Sequence, residues 1–155
     1  MRGKVIYNIL SNDVFTKHIF DGFWFPDRPA QVKKNPALII ANTDKSTGPG
    51  VHWCAIYIDK DKEICEYFDP LGQAPENKLN GYSFLPHLNK YFSLVEYNTT
   101  PVQSSSATTC GHHCIYFGCL KAQNFSLKSI IKSFYTSNTR ANDLKVLKFV
   151  RNKKT

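Results

Sequence analysis

Val51-His-Trp-Cys-Ala-Ile-Tyr-Ile58, then Asp59-Lys-Asp-Lys62, then Glu63-Ile-Cys-Glu-Tyr-Phe-Asp-Pro70 decide the fold. The first run is almost continuously apolar and aromatic, as in a strand covered on both faces. The middle four residues are a polar turn. Glu63 to Phe68 is the returning strand of a hairpin. With the turn centred near residues 60–61, position 52 mirrors position 69. That pairing predicts His52 and Asp69 at the same end of the sheet, within reach of each other.

Outward from the hairpin, Pro36-Ala-Leu-Ile-Ile-Ala41 is a further strand, separated from Val51 by the turn-rich loop Asn42–Gly50. Ser93–Tyr97 is a shorter strand, and Tyr82–Phe92 a helix with Pro86 tolerable only near its first turn. The chain start is expected to be poor in helix. From Cys110 the pattern changes. Cys110–Ala122 is apolar almost all round, as in a buried helix, with Thr108 or Thr109 as N-cap. Helices at about Leu127–Tyr135 and Asn142–Arg151 follow, the last with Leu144, Leu147 and Val150 turned inward. The expected fold is α+β, a central mixed or antiparallel sheet packed by helices. No repeat or linker divides the 155 residues, so a single domain is expected.

Composition sets limits. Hydrophobic residues make up 42% and aromatics 14%, enough for a packed core and too many for a disordered chain. No apolar run approaches a membrane span. The N-terminus lacks the apolar stretch of a signal peptide, and five cysteines form an odd count, so an intracellular protein with reduced thiols is expected. Cys54 and Cys65 are expected as small buried hydrophobes. Residues 1–120 carry 11 Lys/Arg against 11 Asp/Glu, whereas residues 121–155 carry nine basic residues against Asp143 alone. The basic helical segment 121–155 is either an electrostatic footprint for a polyanion or a solvated helix face. Without base-reading motifs, any DNA contact through its Lys/Arg is expected at phosphates.

Four residues carry a chemistry. Cys110 opens a helix, where the macrodipole and a neighbouring imidazolium favour the thiolate. His52 is the base, Asp69 its orienter, and Gln103, seven residues before Cys110, an amide donor for an oxyanion. Trp53 and Gly111 flank the site, Gly111 leaving space for a substrate backbone. A zinc site built from Cys110, His112, His113, Cys114 and Cys119 is the rival reading. All five share one helix and no fourth ligand is evident, so no metal is expected. His113 is expected in packing; His87 and His112 have no role that the sequence supplies.

Phe20-Asp-Gly-Phe23, Ile40-Ala-Asn-Thr43, Gly50-Val-His-Trp53, Tyr67-Phe-Asp-Pro-Leu-Gly72, Val102-Gln103 and Cys110-Gly111 together resemble the adenain family, the adenovirus-type cysteine endopeptidases. That family shares papain-like fold and site order with the SUMO-deconjugating proteases. The resemblance implies a His52–Asp69–Cys110 triad with Gln103 as oxyanion donor, Trp53 packed beside the site, and no cofactor for the chemistry itself. Asp69 stands where adenovirus enzymes have Glu; Asp is usual in the deconjugating branch. The resemblance further implies cleavage of viral precursor proteins at small, glycine-containing motifs during particle maturation, in the host nucleus or virion. It implies activation by DNA and by a short peptide. The family cysteine that binds that peptide would fall near Phe92, where none lies, which counts against covalent activation. A shorter tail after Cys110 implies loss of part of a second lobe, and a large DNA virus or virus-like mobile element as source. Two rival functions remain: an isopeptidase removing a ubiquitin-like modifier, and a non-enzymatic basic nucleic-acid-binding protein on the same fold.

Overall fold

Residues 1–76 and 82–153 are described by a computed structural model. Its elements run α1 (Gly3–Asn12), a 3-10 turn (Thr16–His18), β1 (Phe20–Trp24), β2 (Ala37–Asn42), β3 (Trp53–Asp59), β4 (Ile64–Phe68), α2 (Leu85–Leu88), β5 (Glu96–Tyr97), α3 (Cys110–Ala122), α4 (Leu127–Lys132) and α5 (Thr139–Lys153). The strands form one mixed sheet in the order β1-β2-β3-β4-β5. β2–β3 and β3–β4 are antiparallel, whereas the two outer pairings are parallel.

β2 and β3 are buried along their whole length, as their unbroken apolar runs require. Leu38, Ile40, Ala55, Tyr57 and Phe68 face the helical side, where Ile6 and Leu10 of α1, Cys114 and Phe117 of α3, and Val146 and Val150 of α5 complete one core. Phe68 and Phe117 stack at 4.8 Å with 1° between ring planes, fixing α3 against the sheet. Ile39, Ala41, Cys54, Ile56 and Tyr67 face the opposite side, covered by Phe84, Leu88 and Val95. Cys54 and Cys65 are buried and free, as expected of small apolar fillers.

The hairpin register differs from the mirror about residues 60–61. Ala55 pairs with Phe68 and Asp59 with Ile64, leaving a four-residue turn. The Asp59 carboxylate accepts N–H bonds from Asp61 and Lys62 at 3.0 and 3.1 Å, and Glu63 takes φ 54° to close the turn. The register thus runs on to place Cys54 opposite Asp69, with His52 as the diagonal neighbour. Because the side-chain period is two, this two-residue shift keeps His52 and Asp69 on one face.

Four local expectations are corrected. The chain starts with a helix, α1, whose Ile6, Ile9 and Leu10 are buried; Arg2 at its N-cap makes no side-chain cap, so the usual start signal is absent. The expected helix over Tyr82–Phe92 shrinks to Leu85–Leu88, with Pro86 in its first turn. The expected strand Ser93–Tyr97 shortens to Glu96–Tyr97. In α5 the buried face is Asn142, Asp143, Val146 and Val150, while Leu144 is 62% exposed. The true inward stripe follows a spacing of four and includes two polar residues, which a search for apolar residues passes over.

Candidate active site

His52 lies immediately before β3 and Asp69 immediately after β4, so the hairpin delivers both to one end of the sheet. The His52 Nε2 and Asp69 Oδ1 atoms are 2.6 Å apart. Asp69 is fully buried, and its Oδ1 also accepts the Leu71 N–H at 2.8 Å. Asn98 braces the Asp69 peptide from both sides: its Oδ1 accepts the Asp69 N–H at 3.0 Å, and its Nδ2 donates to the Asp69 carbonyl at 2.7 Å. Nothing in the sequence singles Asn98 out, because its role is to hold a backbone.

Cys110 is the first residue of α3 and lies in the same cleft as the His52 imidazole, close enough for the ring to act on its thiol. Burial alone would push its thiol up. The bond to His52, the N–H groups of Trp53 and Gly111, and the His52 charge outweigh that, holding the thiol below its usual range. For His52 burial disfavours the imidazolium, but bonds to Asp69, Cys110 and Cys54 reverse the balance and raise its pKa well above the ordinary value. The two directions together favour a thiolate–imidazolium pair.

These groups open into a cleft of about 840 Å³, lined by His52, Trp53, Gln103 and Cys110 and by the Thr43–Val51 loop. Gln103 is buried; its Nε2 donates to the Ala107 carbonyl at 2.8 Å, leaving the second amide hydrogen for another acceptor. Trp53 packs between Phe23 and Phe25, and its Nε1 donates to the Met1 carbonyl at 3.0 Å. Gly111 does not face open cleft. A Cβ there would lie 3.2 Å from Met1 Cβ and 3.3 Å from Ile6 Cδ1, so its bare face accommodates the N-terminal segment instead of a substrate backbone.

Thr109 holds the N-cap position of α3 but makes no cap bond, because its hydroxyl donates instead to Asp143 at 2.7 Å. His113 is completely buried against Phe134, with its Nε2 3.1 Å from Asp143 Oδ1. His87 stacks on Tyr82 and meets Trp24 edge-on.

The candidate zinc cluster on α3 does not converge. Among the described residues, ligand atoms of His52, Cys54 and Asp69 do come within 4.8 Å of one another. A zinc ion with bonds of about 2.0–2.1 Å would hold its nitrogen and oxygen ligands roughly 3.3 Å apart in tetrahedral geometry. The 2.6 Å separation of Nε2 and Oδ1 fits a shared proton, not an ion between them.

Residues 14–139 match the adenovirus endoprotease family. The chain belongs to this family. Its enzyme class is accordingly that of a cysteine endopeptidase. The protease of Ovine adenovirus D serotype 7 is 30% identical over 81% of this chain and 68% of its own length. The cysteine protease of African swine fever virus is 26% identical over 71% of this chain, which spans only 40% of that relative. A crystal structure of the African swine fever virus protease superposes with a TM-score of 0.61 at 16% identity, over 94% of this chain and 65% of that one, a likeness of fold. The α+β architecture expected from the hairpin and the C-terminal helices is therefore that of this protease family.

Proposed function

We propose that the chain hydrolyses peptide bonds through Cys110 as nucleophile, His52 as base and acid, Asp69 as orienter, and Gln103 with the Cys110 N–H as oxyanion donors. The single observation that carries this is the buried His52–Asp69 pair, at 2.6 Å, opening into the same cleft as Cys110 at the start of α3. In the proposed sequence the thiolate attacks the carbonyl carbon and the carbonyl oxygen becomes an oxyanion held by the amide donors. The imidazolium protonates the leaving amine. Water, deprotonated by His52, then attacks the thioester and frees Cys110.

The substrate class we assign is a viral precursor protein cut beside small or glycine residues. The family resemblance supports that class. Among the described residues no helix is long and apolar enough to cross a membrane. For DNA as an activating partner, the support is an exposed set of Lys128, Lys132, Arg140, Lys148 and Arg151. Lys121 leaves the polyanion argument, being buried in an ion pair with Glu66 at 2.6 Å. Lys153 is engaged by Asp13, and Lys154 lies outside the described residues. Action in the host nucleus or virion follows from the same reading.

Digestion of a glycine-containing peptide library, with the cut bonds mapped by mass spectrometry, tests this function. We expect cleavage next to glycine by the wild type and none by Cys110→Ala. Equal cleavage by that variant would remove the nucleophile assignment. Affinity for DNA of mixed sequence should fall steeply with salt; strong preference for one sequence would contradict phosphate binding.

A further inference from the structure

Asp143 is the sole acidic residue among the last 35, and it is 5% exposed, turned away from the surrounding lysines. Its carboxylate accepts three hydrogen bonds from the segment that carries Gln103 and leads into Cys110, and meets one ring nitrogen of α3 itself. Ser104 donates through its hydroxyl at 2.6 Å and its N–H at 3.3 Å, both to Oδ2. Thr109 donates its hydroxyl to Oδ1 at 2.7 Å, and the His113 ring nitrogen lies 3.1 Å from the same atom. Burial would raise the Asp143 pKa, but the bonds from Ser104, His113 and Thr109 outweigh it and keep the group ionised.

The preceding residue works beside it. Asn142 is fully buried, and its Nδ2 donates to the Val102 carbonyl at 3.0 Å. The same side chain closes on Tyr135 through both its oxygen and its nitrogen, so it is itself fixed. On the opposite side, the N–H groups of Val102 and Gln103 both donate to the Pro70 carbonyl, at 2.8 and 3.0 Å. Gln103 is therefore gripped from two directions. The turn after Asp69 holds its backbone in front, and two adjacent side chains of α5 hold its neighbours, Val102 and Ser104, behind.

We propose that Asn142 and Asp143 are positioning residues for the oxyanion site, acting through Gln103. This rests on the thiol-endopeptidase reading and assigns α5 a part in turnover separate from its basic surface. A displacement of about 1 Å in a transition-state donor costs on the order of 10²-fold in rate, so the grip need loosen only slightly to be measurable.

The test is a double-mutant cycle on the full chain, with kcat expressed per active site titrated by a glycine vinyl sulfone. Asp143→Ala should lower kcat about 10- to 100-fold with KM nearly unchanged, and Ser104→Ala, which removes a single side-chain bond from a partly exposed residue, about 3- to 10-fold. In a Gln103→Ala background both should lose most of that effect, because the group they position is gone. Alkylation of Cys110 by iodoacetamide, which forms no oxyanion, should keep its rate in all variants. Equal losses in both backgrounds, or alkylation falling in step with kcat, would overturn the positioning role. If Asp143→Ala does not fold, Ser104→Ala alone decides. A wild type that does not alkylate at Cys110 refutes the endopeptidase reading, and the inference with it. A wild type that does, beside a fully active Ser104→Ala, refutes the inference alone.

Discussion

Asp69→Asn separates charge from shape at the centre of the site. The substitution leaves intact the Asn98 brace, which holds Asp69 by its backbone and not its carboxylate, at 3.0 and 2.7 Å. An Asn oxygen can still accept from Leu71 and His52, so the fold is retained and the lost quantity is the charged bond to His52. A hydrogen bond to a charged partner contributes about 1.5–3 kcal/mol, and about 1.36 kcal/mol is a factor of ten in rate. The expected fall in kcat/KM is therefore about 10- to 200-fold, against near-complete loss for Cys110→Ala. The pH profile gives the sign. On the proposed mechanism, the wild-type thiolate–imidazolium pair is populated above the lowered Cys110 pKa and below the raised His52 pKa. Without the Asp69 charge His52 holds its proton less tightly, so the alkaline limb moves to lower pH. A weaker imidazolium stabilises the thiolate less, so the acidic limb moves to higher pH. From pH 4 to pH 10, iodoacetamide alkylation, which reads the thiolate, should show the acidic limb moved up in the variant. Peptide cleavage by the variant should show an alkaline fall that the wild type, with His52 raised to about 12, does not reach in this range. Unchanged limbs, or a variant as dead as Cys110→Ala, would refute this reasoning.

Three other variants probe the frame around the site. Gly72→Ala should destabilise the protein and depress kcat. Gly72 has φ 73°, and a Cβ would sit 2.7 Å from the Pro101 backbone nitrogen, beside the segment that carries Gln103; a neutral result in urea melts and turnover would count against that packing. Phe117→Ala removes the partner of Phe68 from a fully buried stack and should cost about 3–5 kcal/mol in urea unfolding, at constant m-value. Lys121→Met strands Glu66, 4% exposed, without its 2.6 Å partner and should cost about 3–5 kcal/mol, much of it restored by adding Glu66→Gln. Its DNA affinity should stay at the wild-type level; a large loss would return Lys121 to the basic footprint.

The hairpin was legible because its two strands are written as apolar runs joined by a polar turn, and the same reading brought His52 and Asp69 together. The register was legible only to within two residues. Glu63 enters the left-handed region, and nothing about a glutamate announces that. Face survived the slip because it depends on parity alone. α1 escaped notice because no capping side chain marks its start. The inward face of α5 was misread for a different reason: hydropathy periodicity ranks Leu144 above Asn142 and Asp143, although the latter two find enough hydrogen-bond partners to be buried. Asp143 did leave a trace, as a single acid in a strongly basic segment. Reading that as one fewer unit of charge missed that an isolated acid among lysines is free to serve donors elsewhere.

Whether Cys110 and His52 form one reactive pair is decided by intact-mass labelling with a peptide vinyl sulfone ending in glycine. The wild type should take up one adduct, Cys110→Ala none, and His52→Ala should label far more slowly. Comparable labelling of several of the five cysteines, at rates indifferent to His52, would contradict the account.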